Sequence, residues 1–209
     1  MKRRWLAWLW PAGLLLSTAV YADGGSPVEV YQQEALLREI DSEQHLKQVQ
    51  ADQCQLVQDI ELRARQAEYP AYQFLWGDML TEGVCIPQNP ELGVYYLRQA
   101  AQQALPAAFL RLGQLYRQGR FVQADADKAV RFFREAASLG NTHARIELAQ
   151  MLVANQGSPL DYEDTYRWLS ETIVQAPAQH QLISRLRAAL AARMPANAVQ
   201  RATRQNGFW

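Results

Sequence analysis

Apolar and small side chains recur along this chain at intervals of 36 residues. Four series share this period: Gly77, Gly113 and Ala149; Met79, Leu115 and Met151; Tyr96, Phe132 and Trp168; and Leu97, Phe133 and Leu169. Between them the apolar positions follow helical spacing, as in Leu75, Met79 and Leu80. A fixed period of this length is typical of stacked helical repeats, so the pattern predicts an all-α protein.

Helix-start and helix-stop residues repeat in the same register. The first turn of a helix A begins at Pro70, Pro106 and Thr142. Residues that tolerate a left-handed C-cap follow its end, at Gly83, Gly119 and Asn155. The N-caps of a helix B stand at Asn89, Asp125 and Asp161. Each unit is therefore a helix A, a loop and a helix B.

The units run over 70–105, 106–141 and 142–177 and predict a right-handed α-solenoid of antiparallel helix pairs. Residues 23–69 form an acidic segment in which we expect one helix over 34–50 and a helical half-repeat over 54–67. Residues 178–209 form a closing helix, stopped by Pro195, and a basic tail. Small residues at the recurring Gly and Ala positions let neighbouring helices approach closely.

The first 22 residues have the organisation of a secretory signal. Lys2, Arg3 and Arg4 precede an uncharged apolar run over 5–20, and Val20-Tyr21-Ala22 forms the cleavage site. The alternative is an uncleaved membrane anchor, but the run is shorter than the roughly 20 residues of a membrane span. We expect an exported protein.

Charge is distributed unevenly along the chain. Residues 23–61 carry nine acidic and two basic side chains, whereas residues 178–209 carry five arginines and no acid. Nucleic-acid binding needs a basic face across the whole domain, and the chain has none. The unlike ends suggest that subunits dock head to tail in a ring.

Cys54 and Cys85 are the two cysteines of the chain. Cys54 lies at the start of the half-repeat and Cys85 just after the first helix A, and antiparallel packing brings those two ends to one side of the solenoid. In an exported protein such a pair is expected to form a disulfide. The alternative is two buried free thiols.

No motif in the sequence indicates catalysis, a metal or a cofactor. His45, His143 and His180 are isolated from one another, and no serine has a lysine three residues later. We expect a scaffold that binds other proteins through polar residues of the A helices on the concave face. The candidates for partner binding are Gln73, Arg111, Gln114, Arg117 and Arg145.

The repeat unit resembles the Sel-like repeat, a short relative of the tetratricopeptide repeat. Residues 106–141 carry its pattern at Ala108, Leu112-Gly113, Tyr116, Gly119, Asp127, Lys128-Ala129, Ala136-Ala137 and Gly140. The first repeat has Gly93 in place of one Ala, and the third departs at Ala149, Asn155 and Thr172-Ile173.

The chain as a whole resembles a family of the sodium-driven polar flagellar motor. The likeness includes CQLVQDIELRARQ from Cys54 and YQFLWGDMLTEGVC ending at Cys85. It implies a periplasmic protein of the T ring under the basal body, with MotY, PomB of the stator and ring components as partners. It also implies a disulfide between the two cysteines. The alternative is a Sel-like periplasmic adaptor, or a β-lactam- or cell-wall-related enzyme, outside the motor.

Overall fold

The computed structural model describes residues 31–204, which form eleven α-helices and no strand. The predicted signal peptide, residues 23–30 and the last five residues lie outside the described part. The helices are α1 Gln33–Asp41, α2 His45–Ala51, α3 Val57–Leu62, α4 Pro70–Glu82, α5 Pro90–Gln102, α6 Pro106–Gln118, α7 Ala126–Ser138, α8 Thr142–Val153, α9 Tyr162–Glu171, α10 Pro177–Ala191 and α11 Ala196–Arg204.

The predicted solenoid of antiparallel helix pairs is confirmed. The A and B helices pair as α4 with α5, α6 with α7, and α8 with α9, and each pair packs on the next through buried apolar residues. A π-helical turn, Arg63–Ala67, follows α3, and a 3-10 turn, Pro159–Asp161, precedes α9. Between residues 31 and 204, no helix has the length and apolar character needed to cross a membrane.

Glycines at the repeat positions allow the helices of a pair to touch. A Cβ atom on Gly93 of α5 would lie 2.6 Å from Cγ2 of Thr81 on α4, and one on Gly113 of α6 would lie 2.6 Å from the Phe133 ring on α7. A Cβ atom does not approach non-bonded atoms this closely, so a larger residue would force the helices apart. The close approach expected from the sequence is therefore present.

The helix caps follow the repeat in the first two units and change in the third. Asn89 and Asp125 each accept a hydrogen bond from the backbone N–H three residues later, at 3.2 and 2.8 Å. Asp161 stands at the N-cap position of α9 as predicted, but its side chain makes no cap hydrogen bond and pairs instead with Arg134, with a shortest N–O distance of 3.2 Å. Asn141 caps the third helix A by accepting from Ala144 N–H at 2.8 Å.

Residues 33–51 form two helices rather than the single helix expected over 34–50. The chain turns between α1 and α2 at Glu43, whose φ is 57°. Gln44 N–H bonds to the Glu39 carbonyl and Glu43 N–H to that of Ile40, which is the Schellman pattern of a helix end. The left-handed position usually holds Gly or Asn, so a Glu there does not indicate a break between two helices. We call α1 and α2 together the hairpin.

The C-terminal part of the described chain contains one helix more than predicted. The closing helix α10 ends at Ala191, and a further helix, α11, begins directly after Pro195. It buries only Ala198 and Ala202, against α9, and two small apolar residues are too weak a pattern to predict a helix. Arg201 on α11 pairs with Glu163 on α9 at 2.6 Å.

A disulfide joins Cys54 and Cys85, as predicted, with 5.6 Å between their Cα atoms. Cys54 lies in the turn between α2 and α3, and Cys85 lies in the loop after α4. The bond therefore ties the N-terminal helices to the first repeat. Both residues have a positive φ, 59° and 64°, a conformation that costs free energy in a non-glycine residue and persists where the surrounding structure holds it.

We expect removal of this disulfide by the double substitution Cys54→Ser with Cys85→Ser to lower the free energy of unfolding by about 3–4 kcal/mol. That is the chain-entropy value for a loop of this length, 31 residues of sequence separation. Urea unfolding of purified protein, with and without reductant, measures it. The reduced wild type should match the double variant, and equal stability of oxidised and reduced wild type would contradict the expectation.

Candidate partner-binding groove

A groove of about 560 Å³ lies between the hairpin and the A helices. We call it the hairpin groove. Its apolar walls are Ile40, Leu46, Phe74, Val84, Ala107 and Leu110. Its polar lining includes Asp41, Glu43, His45, Asp78, Glu82, Arg111, Gln114, Arg120, Asn141 and His143. A concave site with apolar walls and a few polar groups is the usual form of a binding site.

The floor of the groove is built on one buried carboxylate, Asp78 of α4, of which only 4% is exposed. His45 of α2 bonds to its Oδ2 through Nε2 at 2.9 Å, and Arg111 of α6 donates to its Oδ1 through Nε at 2.6 Å. A buried charge is tolerated only when it is paired and hydrogen-bonded. Asp78 therefore links the hairpin, the first repeat and the second repeat.

Glu82 extends the network by one turn of α4. Arg111 reaches it with Nη2, and Arg120 binds both of its oxygens, at 2.9 and 2.8 Å. Two acids and two arginines thus alternate along the floor. Bidentate pairs of this kind fix geometry as well as charge, so the two repeats are held in one register.

Burial and pairing act in opposite directions on these groups. Burial alone raises the pKa of Asp78, but the His45 hydrogen bond and the charge of Arg111 outweigh it, so the pKa lies below its ordinary value. Burial alone lowers the pKa of Arg111, but the charges and hydrogen bonds of Asp78 and Glu82 outweigh it, so the pKa lies above its ordinary value. Both side chains are therefore charged in the folded protein.

His45 contributes one nitrogen to this network. Among the described residues, its buried Nδ1 has no hydrogen-bond partner, and its ring lies edge-on to Phe74 with 5.2 Å between centroids. An unpaired buried polar atom costs free energy. The hydrogen bond between Nε2 and Asp78 offsets that cost. The rest of the imidazole ring packs against apolar neighbours such as Phe74.

The mouth of the groove is formed where the hairpin turn meets the third repeat. Glu43 pairs with His143 of α8, with 3.3 Å between Oε1 and Nδ1, and both side chains are exposed. Asp41 stands beside them. Burial raises the pKa of Asp41, and the nearby His143 lowers it by less, so the carboxyl lacks a full counter-charge.

The structure places the predicted partner-binding residues in different surroundings. The expectation that Gln73 faces outwards is wrong, because only 4% of it is exposed and its Oε1 accepts from Gln103 Nε2 at 2.8 Å. It faces the end of helix α5, since α4 is covered on nearly every side. Arg111 and Gln114 line the hairpin groove.

The remaining two candidates bind neighbouring helices of the same chain. Arg117 pairs with Glu147 of α8. Arg145 donates to the carbonyls of Ala137 and Trp168, both at 3.2 Å, and to Thr172 Oγ1 at 3.0 Å. A role for these residues in partner binding stays a prediction.

Sequence reasoning missed the hairpin groove because the hairpin lies far from helices α6 and α8 in sequence. One signal could have indicated it. Asp78 is a carboxylate inside the apolar stretch Phe74–Leu80 of a helix predicted to be buried, and a buried acid requires partners from elsewhere. Among the described residues, no three His, Cys, Asp or Glu side chains are grouped to hold a metal ion.

Substitution of Asp78 by Asn should destabilise the protein by about 3 kcal/mol at pH 7, since the mostly buried Arg111 guanidinium loses the charge of this carboxylate. The folded pKa of Asp78 is lowered, so its stabilising contribution is complete above its ordinary value of 3.8 and is lost as pH falls through the lowered value. The difference in the free energy of unfolding between wild type and Asp78→Asn should therefore become smaller in acid.

Urea unfolding at pH 7 and at several acidic pH values measures this difference. Asp127→Asn is the matched control, because Asp127 is exposed and its change should cost at most about 0.5 kcal/mol. A difference that is absent at pH 7, or that becomes larger in acid, would contradict the role given to Asp78.

Comparison with known proteins agrees with this architecture. The Sel1 repeat model matches residues 70–105 and 106–141. The crystal structure of a Sel1 repeat protein from Oxalobacter formigenes superposes with a TM-score of 0.52 over 73% of this chain and 56% of that longer chain, at 19% sequence identity. That likeness shows the fold alone.

Two curated proteins are similar in sequence. The alginate biosynthesis protein AlgK of Azotobacter vinelandii is 30% identical over 127 residues, which are 60% of this chain and 27% of that protein. The sodium-type polar flagellar protein MotX of Vibrio parahaemolyticus is 50% identical over 188 residues, which are 90% of this chain and 89% of that protein. This chain therefore belongs to the family of polar flagellar proteins represented by MotX.

Proposed function

We propose that this chain is a periplasmic scaffold of the sodium-driven polar flagellar motor, where it binds MotY in the T ring and helps to recruit the PomA–PomB stator. The observation that carries the proposal is the 50% identity to MotX, which extends over nine-tenths of both chains. A match limited to the repeats would have indicated only that the chain is a repeat protein, with nothing about the assembly in which it works.

Two features support a periplasmic location. The first 22 residues have the charge and apolar pattern of a secretory signal. A disulfide such as that between Cys54 and Cys85 is typical of chains that mature in an oxidising compartment. Removal of the signal would leave a chain that begins with the acidic segment.

The chemistry of the groove favours binding over catalysis. The acids and arginines of its floor are bound to one another in a balanced network, so none of Asp78, Glu82, Arg111 and Arg120 is left to activate a nucleophile or transfer a proton. A rigid concave surface between stacked repeats is instead suited to holding a segment of a partner protein.

Deletion of the gene in its host tests this function. We expect flagellated cells that do not swim, because assembly of the filament does not need the stator scaffold whereas rotation does. The wild-type gene should restore swimming. The Cys54→Ser gene should restore swimming poorly and give less protein, since the disulfide stabilises the fold. Electron microscopy for flagella and tracking of single cells provide the two readouts.

Normal swimming of the deletion strain would contradict a role in the motor. It would favour a Sel-like periplasmic adaptor outside the motor. Covalent labelling of the purified protein by a fluorescent penicillin would instead identify a β-lactam-reacting enzyme.

A further inference from the structure

The charges at the mouth of the hairpin groove are unbalanced, whereas those of its floor are not. Asp78, Arg111, Glu82 and Arg120 satisfy one another. Asp41 and Glu43 remain at the mouth as exposed acids, and among the described residues the ion pair at this point is that of Glu43 with His143. A segment that entered the groove with a cationic side chain at this point would complete the charge balance.

The chain itself contains a segment with matching chemistry. Residues 178–209 carry five arginines and no acid. Arg193 donates to the Val153 carbonyl at 2.6 Å and Arg201 pairs with Glu163, but Arg204 is exposed at the end of α11. Five residues follow in the sequence, and they include Phe208 and Trp209.

The positions of groove and segment indicate contact between two molecules. Helix α11 packs on α9, the helix B of the third repeat. The groove is lined by the hairpin and by the A helices α4, α6 and α8, and no residue of α11 lines it. Since the end of α11 does not line the groove, we expect it to enter the groove of another molecule, and such head-to-tail association generates rings or filaments.

We propose that the hairpin groove receives residues 204–209 of a second copy of this chain. Arg204 meets Asp41 and Glu43 at the mouth, and the aromatic side chains of Phe208 and Trp209 pack against the apolar walls formed by Ile40, Phe74 and Leu110. Aromatic anchors in a pocket with a charged rim are the usual source of affinity in such contacts. The inference deepens the proposed function, and its place in a motor ring rests on that function.

Two complementary variants of the full exported chain test the contact. The groove variant carries Asp41→Asn and Glu43→Gln, and the tail variant carries Arg204→Gln, Phe208→Ser and Trp209→Ser. Glu135→Gln on helix B of the second repeat is the matched control, because it removes an exposed acid far from the groove lining. Unfolding in urea confirms that each variant is folded, and Asp41→Asn alone replaces the groove variant if the pair of changes disturbs the hairpin.

Sedimentation velocity over a range of protein concentrations gives the result. We expect wild type and control to associate, more weakly at high salt because exposed charges are screened. Each variant alone should associate at least tenfold more weakly. Their equimolar mixture should form dimers and nothing larger, since one intact groove and one intact tail make a single contact.

Three results would overturn the proposal: variants that associate as wild type does, a mixture that stays monomeric, or a wild type that is monomeric at every concentration. The last result would include a tail folded onto its own groove. None of these measurements depends on swimming, so loss of this contact and loss of the motor role are distinguished.

Discussion

The buried carboxylate of Asp78 is the interaction on which the arrangement of this protein depends. It lies on α4, the helix with the largest buried fraction, and it is bonded by His45 from the hairpin and by Arg111 from the second repeat. Removal of Arg111 or of Asp78 breaks a mostly buried ion pair, which costs far more than loss of a surface pair. Helix A of the first repeat therefore fixes the position of both neighbours.

Other contacts hold the hairpin to the same site from different directions. The disulfide joins Cys54, just after α2, to Cys85 in the loop after α4. Tyr72 of α4 donates a hydrogen bond to the Tyr31 carbonyl, just before α1. Tyr31 in turn donates to Asp52, and burial together with that hydrogen bond raises the pKa of its phenol. These contacts preform the groove, so a partner would bind without first ordering its walls. A scaffold that must hold its partners in register benefits from such rigidity.

The repeats could be predicted from the sequence because their signals are local and occur several times. Gly77 and Gly113, the Gly83 and Gly119 caps and the Asn89 and Asp125 caps each report on a few neighbouring residues. The disulfide followed from the antiparallel order of the helices. Comparison of successive copies then fixed the register.

The hairpin and α11 could not be predicted because their signals are single and weak. Glu43 adopts a left-handed conformation that its residue type does not indicate, and α11 buries two alanines. The contacts of Asp78 join residues separated by 33 positions, which no local pattern reveals. Gln73 was misassigned because α4 is buried on nearly every side, so its polar face packs on the end of α5 instead of facing solvent.

Amide hydrogen exchange of wild type and Asp78→Asn at pH 7 tests the central claim most directly. If Asp78 holds the hairpin on the concave face, the amides of α1 and α2 should exchange faster in the variant, together with those of α6, while α9 and α10 remain as protected as in wild type. Unchanged protection in α1 and α2, or an equal loss of protection in every helix from α1 to α11, would contradict it.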